Sequence, residues 1–309
     1  MDIKLAKASA RSNRIRATRA DRIFVSVNIF IMLLILFVII YPLWFVVIAS
    51  FSDSQLVAVG KVLIWPKGFH VDAYRKVFSD SRIMTGYRNT IFYTFAGTFL
   101  NVVFTMSLAY PLSRRDFVGR NFIMGIMSVT MFFGGGLIPT YLVYKQLGIV
   151  NSVWVMILPG LVSVYNCILM RTFIQGLPYE LQEAAMIDGC GNMGMLLKIT
   201  LPLCKPIIAV MVIYYGVSHW NSYFNALIYI SNKKLKPLAL ILREILITNS
   251  TTASEMESAG SAESEADMRR VAEAIKYAVI IVSTFPMLCL YPFAQKYFAK
   301  GVMLGAIKG

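Results

Sequence analysis

The stretch Ile23 to Ala49, IFVSVNIFIMLLILFVIIYPLWFVVIA, carries no charged residue and decides the class of fold. About 20 apolar residues, rising 1.5 Å each, cross the roughly 30 Å hydrocarbon core of a bilayer, so this run predicts a spanning helix. It is longer than the roughly 7 to 15 residues of a secretory signal core, and no small-residue cleavage site follows, so the segment is expected to stay in the protein. Residues 1–22 in front of it carry Lys4, Lys7, Arg11, Arg14, Arg16, Arg19 and Arg22 against Asp2 and Asp21. By the positive-inside rule, that basic tail is expected in the cytoplasm.

Five more apolar stretches follow: Asn89 to Leu112, Phe122 to Tyr144, Val153 to Ile174, Pro206 to Ile230 and Tyr277 to Phe298. Each is long enough to cross. The expected fold is all-α, a polytopic membrane protein of six transmembrane helices in one domain over 23–300, with both termini cytoplasmic. Arg114, Arg115 and Arg120, Lys198 and Lys205, and Lys296, Lys300 and Lys308 then fall inside. The first outside loop also holds Lys61, Lys67, Arg75, Lys76, Arg82 and Arg88, but charge matters less in a loop of that length.

The composition agrees. The 309 residues are 57% hydrophobic and 15% charged, a charge content rare in a water-soluble domain of this size. A formal net charge of +14 is spread between apolar runs rather than along a basic stripe with interleaved aromatics, so anionic lipid headgroups fit it and nucleic acid does not. Cys167, Cys190, Cys204 and Cys289 form no CxxC or Cys/His pair, and His70 and His219 are far apart, so no metal site is expected.

Two outside segments stand apart from the spans. FHVDAYRKVF, from Phe69 to Phe78, reads as a short interfacial helix with Phe69, Tyr74 and Phe78 on the membrane surface. The second outside segment, 231 to 276, changes character midway: NSTTASEMESAGSAESEADMRR is rich in Ser, Ala and acids and is expected to be a mobile loop or a solvated helix. Glu265, Arg269 and Glu273, spaced four apart, support a helix leading into the last span.

Between the fourth and fifth stretches, about 176–203, lies GLPYELQEAAMIDGCGNMGMLLKITLPLCKP. Pro178 suits a first helical turn, and Glu180 and Glu183 lie near the positive end of the helix dipole. Gly189 and Gly191 interrupt that helix, and MGMLLKI supplies a second amphipathic one before Pro202. A helix, turn, helix on the inner membrane face is expected.

This loop resembles the cytoplasmic signature of the permease subunits of ATP-binding-cassette importers: EAA, three residues, G, nine residues, I, one residue, LP. Glu183, Ala184, Ala185, Gly189, Ile199, Leu201 and Pro202 stand at that spacing, with Asp188 before the glycine. The chain is most similar to the carbohydrate branch, in particular the MalG-like and LplC/YtcP-type permeases. Gly134 to Val143 (GGGLIPTYLV), Trp220 to Ile230 (WNSYFNALIYI) and the ending YPFAQKYFAKGVMLGAIKG carry that narrower likeness. The resemblance implies a bacterial cell-membrane permease for sugars or oligosaccharides, paired with a second permease, in most relatives a different chain. It also implies two ATPase subunits holding ATP and magnesium, and an extracytoplasmic substrate-binding protein. The EAA loop would be the coupling helix, and residues 301–309, with Gly301, Gly305 and Lys308, would reach the ATPase interface.

Polar and aromatic groups inside a span are costly unless they face a cavity or another helix, so they mark a candidate pathway. Tyr214, Tyr215, His219, Trp220, Asn221, Tyr223 and Asn225 crowd the fifth stretch, and Tyr214, Trp220, Asn221 and Asn225 fall along one side at 100° per residue. Asn101 and Asn166 are weaker candidates, for which interhelical hydrogen bonding is an adequate explanation. Gly134, Gly135 and Gly136 fit either a close helix approach or a break. No HExxH, hydrolytic triad or GxxxxGK[ST] loop occurs, so neither catalysis nor ATP hydrolysis by this chain is expected, and it is expected to bind no cofactor itself. The competing readings are an importer of peptides or amino acids, whose permeases share the loop, and a secondary transporter, which would show buried ion-coupling residues or inverted repeats.

Overall fold

The computed structural model describes residues 18–245, 247, 275–289 and 292, and among these every regular element is helical. Helix α1, Arg19–Ser50, opens with a capping box: the Thr18 hydroxyl accepts from the Asp21 amide, and the Asp21 carboxylate accepts from the Thr18 amide. Its 32 residues cover roughly 48 Å at 1.5 Å per residue, ample for a bilayer. After the short α2, Ser54–Ala58, the chain folds back on the end of α1. The Trp44 indole donates to the Ile64 carbonyl at 2.9 Å, and Phe69 stacks on Phe51 with ring centroids 5.6 Å apart. Phe69 keeps 69% of its surface exposed beside that stack. The described residues up to Phe69 form one compact unit and those from His70 onward a second.

The second unit is organised around α4, Ser81–Ser113, which follows the short amphipathic α3, Asp72–Ser79. Ala73 and Val77 of α3 are buried and Tyr74 packs beside them, whereas Phe78 stays exposed, so this helix turns its small face to the core. Helices α5, Arg120–Phe132, and α6, Leu137–Gln146, meet at 117° across Phe133–Gly136. Three consecutive glycines favour a break over a straight span, and Gly136 sits at φ +80°, a conformation that side chains resist. The fourth expected stretch is also divided, into α7, Trp154–Ile157, and α8, Val164–Gln175, by a turn in which Gly160 has φ +70°.

Then come α9, Glu180–Ile187, α10, Asn192–Leu203, and α11, Lys205–Trp220, the last two meeting at 80°. A turn at Asn221 leads to α12, Tyr223–Tyr229. The first part of the segment from Ser231, ahead of the acidic stretch, packs against α4. Asn89 donates to the carbonyls of Lys234 and Lys236, and Tyr93 to that of Leu235. Residues 238–245 form α13, in which Leu238, Leu240, Ile241 and Leu242 are buried. Gly86 permits this approach, since a methyl group there would meet Ile241 and the backbone of Leu238. Residues 248–274, with the acidic stretch, lie outside the described residues. Helix α14, Ile275–Cys289, joins α3, α4 and α13 in one apolar cluster.

Candidate functional site

The α9–α10 hairpin is shaped by its glycines. Helix α9 starts with Glu180 and Glu183 in its first turn and ends in a Schellman closure. The Cys190 amide donates to the Ala185 carbonyl at 2.9 Å and the Gly189 amide to the Met186 carbonyl at 3.1 Å. Gly189 lies at φ +71° with nothing within 4 Å of where a Cβ would be, so its backbone conformation, not crowding, calls for glycine. Met195–Thr200 within α10 is π-helical. That wider turn lies directly before Leu201 and Pro202, where the proline ring would otherwise press on a carbonyl one turn back. The chain then bends at Cys204 into α11.

The hairpin turns part of each limb inward. Ala185, Met195 and Thr200 are buried and Ile199 is half-buried. Outward stand Glu183, Ala184, Asp188, Gly189, Leu201 and Pro202, and Ile187 is 86% exposed. A helix this short does not hold itself; it is braced from α4. Arg114, the residue capping α4, donates to Asp116 at 3.0 Å, to Gln182 of α9 at 3.3 Å and to the Met195 sulfur of α10 at 3.0 Å. The Tyr110 hydroxyl donates to the Asn192 carbonyl at 3.3 Å, and the Arg115 guanidinium lies over the Tyr179 ring at 5.1 Å. The Arg114 hydrogen bond holds the Asp116 carboxyl below its ordinary pKa, and the same bond raises that of Arg114. From sequence, Arg114 stands out only as one of the charges that set topology. Its adjacency to Asp116 in RRD was the one local hint of a fixed guanidinium.

Helices α4 and α11, at the roots of the hairpin, share a polar seam. Asn101 donates to the carbonyls of Gly160 and Leu161 at 2.9 and 2.8 Å, while its Oδ1 meets His219 Nε2 at 2.7 Å. The imidazole lies against Gly97, where any side chain would overlap it. One turn along, the Thr105 and Tyr215 hydroxyls are 2.7 Å apart, and the Tyr215 oxygen also accepts from the Ser163 amide at 3.1 Å. The Thr94 and Thr98 hydroxyls are buried nearby without a hydrogen-bond partner among the described residues.

The pathway candidates separate. Trp220 is buried and donates to the Ser283 carbonyl at 3.1 Å, locking α11 to α14. Tyr214, Asn221 and Asn225 are exposed, Asn221 donating to the Val217 carbonyl. The helix stops at Trp220, so Asn225 belongs to α12 and the helical phase drawn through all four does not continue. Asn166 is buried near the start of α8, where its amide donates to Ser163. Gly301, Gly305 and Lys308 lie outside the described residues. Among the described residues no group of three His, Cys, Asp or Glu is placed to hold a metal ion.

Long apolar helices, further apolar helices broken at glycines, and a capped hairpin braced at the helix ends fit a polytopic membrane protein. Residues 83–304 match the family described as binding-protein-dependent transport system inner membrane component, and the chain belongs to that family. It is 39% identical over 292 residues to Protein LplC of Bacillus subtilis (strain 168), covering 94% of this chain and 97% of that one. To the polygalacturonan/rhamnogalacturonan transport system permease protein YtcP of the same organism it is 40% identical over 270 residues, with 87% and 93% covered. Among solved structures, a chain of a bacterial ABC transporter involved in the import of the acidic polysaccharide alginate superposes with a TM-score of 0.80 at 30% identity, covering 91% of this chain and 98% of that one. The protein is an integral membrane permease subunit of an ATP-binding-cassette importer.

Proposed function

We propose that this permease carries oligosaccharides released from complex, acidic polysaccharides, as the names of its relatives suggest, and that α9–α10 is the element through which separate ATPase subunits drive it. It crosses the membrane six times with both termini and the hairpin in the cytoplasm. A second permease, most readily a different chain, completes the path, and two ATPases bind ATP and magnesium. A substrate-binding protein delivers the sugar from outside.

The observation that carries the coupling role is the contrast across α9. One side is fixed through Ala185, Gln182 and Arg114, and the other presents Ala184, Ile187 and Glu183 to a partner. A small apolar ridge flanked by acids fits a groove with basic rims. Closure of the ATPases would move α9. The Arg114 brace passes that movement to α4, and the continuous chain through Thr200 and the bend at Cys204 passes it to α11. Those two helices meet at the Asn101–His219 and Thr105–Tyr215 seam, so shifting one along the other would open the bundle to alternate sides.

The test is purification of the tagged chain from native membranes beside Glu183→Arg. Recovery of a second permease and an ATPase, with the ATPase lost in the variant, is expected. Recovery of the chain alone, still moving solute in liposomes without ATP, would overturn the coupling role. Uptake of labelled oligogalacturonides against neutral maltooligosaccharides tests the substrate class.

A further inference from the structure

Beside the hairpin lies a cleft of about 400 Å³ whose lining includes Arg115, Arg120, Arg171, Leu177, Tyr179 and Gln182 and contains no carboxylate. The three arginines come from different places: the turn after α4, the start of α5 and the second half of α8. Each is already fixed at one edge. Arg171 Nε donates to the Leu112 carbonyl at 2.9 Å, Arg120 donates to the Arg114 carbonyl at 3.1 Å, and Arg115 lies over Tyr179. Among the described residues none of the three has a carboxylate within ion-pair distance. Three arginines lining one cleft and held this way, with donors to spare, suit an oxyanion with several acceptor oxygens.

The surroundings select the source of that oxyanion. Between Arg115 and Arg120 the turn carries Asp116, whose charge is met by Arg114 at 3.0 Å, then Phe117, 37% exposed, and Val118, fully exposed. An apolar tip between cations is the pattern of a segment at the headgroup and acyl boundary, where the rings and methyls enter the bilayer and the charges stay at the phosphates. Basic pockets between transmembrane helices on the cytoplasmic side are suited to anionic lipid headgroups.

We infer that this cleft binds the phosphate of an anionic phospholipid headgroup and so ties the membrane surface to the foot of the coupling hairpin through Tyr179 and Gln182. The inference needs the membrane placement of α4 and α5 but not the identity of the transported solute.

The experiment is native mass spectrometry of the assembled transporter, purified in mild detergent and titrated with phosphatidylglycerol or phosphatidylcholine. Phosphatidylglycerol is expected to be retained preferentially. An arginine near a lipid surface contributes about 1 kcal/mol, so each charge removed should weaken retention about fivefold. Arg120 and Arg171 hold backbone carbonyls, and Arg120→Gln or Arg171→Gln alone could lose lipid by misfolding. Arg115→Gln, which gives up only a ring contact, and Arg115→Lys, which keeps the charge, are therefore measured beside them. Loss in Arg115→Gln with recovery in Arg115→Lys supports the site. Equal retention of both lipids, or unchanged phosphatidylglycerol retention in Arg115→Gln, overturns it. Displacement of the lipid by excess inorganic phosphate would assign the cleft to a soluble anion and also overturns the lipid reading.

Discussion

The guanidinium of Arg114 lies 3.0 Å from the sulfur of Met195, joining the end of α4 to the second limb of the hairpin across 81 positions of sequence. With Gln182 on the first limb it makes one side chain the common support of both limbs. Arg114→Gln removes the charge and most of the reach. Hydrogen bonds to a charged group contribute about 1.5–3 kcal/mol each. Transport should fall about tenfold or more, the equivalent of 1.4 kcal/mol, with the protein still in the membrane. Faster hydrogen exchange in α9 beside unchanged exchange in α4 would show that the brace alone was lost.

The same brace sets a pH expectation. The Arg114 hydrogen bond lowers the folded pKa of Asp116, so its contribution is complete above the unfolded carboxylate value of about 3.9 and is lost as pH falls through the lower folded value. Exchange of the α9 amides, corrected for intrinsic rates, should be flat from about pH 5 to 8. Asp116→Asn should raise it uniformly across that range. A midpoint near neutrality would mean that another group controls the hairpin.

Gly189 tests the hairpin from its other end. At φ +71° with open space around it, replacement strains the backbone without a clash. Gly189→Ala should cost about 1–2 kcal/mol at the end of α9, and Gly189→Asn clearly less, because Asn enters the left-handed region more readily. Co-purification of the ATPase should rank glycine, asparagine, alanine. If alanine matched glycine, the closure would not matter to docking.

Two glycines in the α4–α11 contact behave oppositely. A Cβ at Gly97 overlaps the His219 imidazole, whereas one at Gly216 meets only the Thr98 hydroxyl at 3.7 Å, an ordinary contact. Gly97→Ala is therefore expected to destabilise by about 1–3 kcal/mol through overpacking, and Gly216→Ala to be near neutral. Thermal unfolding in detergent distinguishes them. Gly97→Ala combined with His219→Ala should recover most of the loss, since the obstacle is the ring itself.

The sequence discloses what depends on near neighbours. The apolar run in α1 and the Gly189 turn need only a window of residues to be read. Gly134 to Gly136 leave two readings open because glycine permits both close approach and a break; the 117° bend settles that as a break. Helix α13 escapes the pattern because its apolar run is too short to span, and what buries it is Gly86 on a distant helix. Arg114 escapes as a brace for the same reason: its partners Gln182 and Met195 are identifiable only once α4 and the hairpin are placed together.

Trp220 and Asn225 divide what the sequence had joined. Trp220 is 8% exposed, with its indole committed to Ser283 and its ring near Tyr87, while Asn225 stands exposed on the next helix. Trp220→Ala removes a large buried ring and should cost about 3–5 kcal/mol, seen as less folded transporter recovered from the membrane. Asn225→Ala should leave recovery unchanged. If Asn225 lines the path, it should raise the substrate concentration for half-maximal uptake several-fold, as loss of one hydrogen bond of about 1 kcal/mol would. Trp220→Phe keeps most of the packing and gives up the Ser283 bond, so it separates the two roles: normal recovery with altered sugar preference would place Trp220 in the path, and a modest loss of recovery with unchanged preference would keep it as the bolt between α11 and α14.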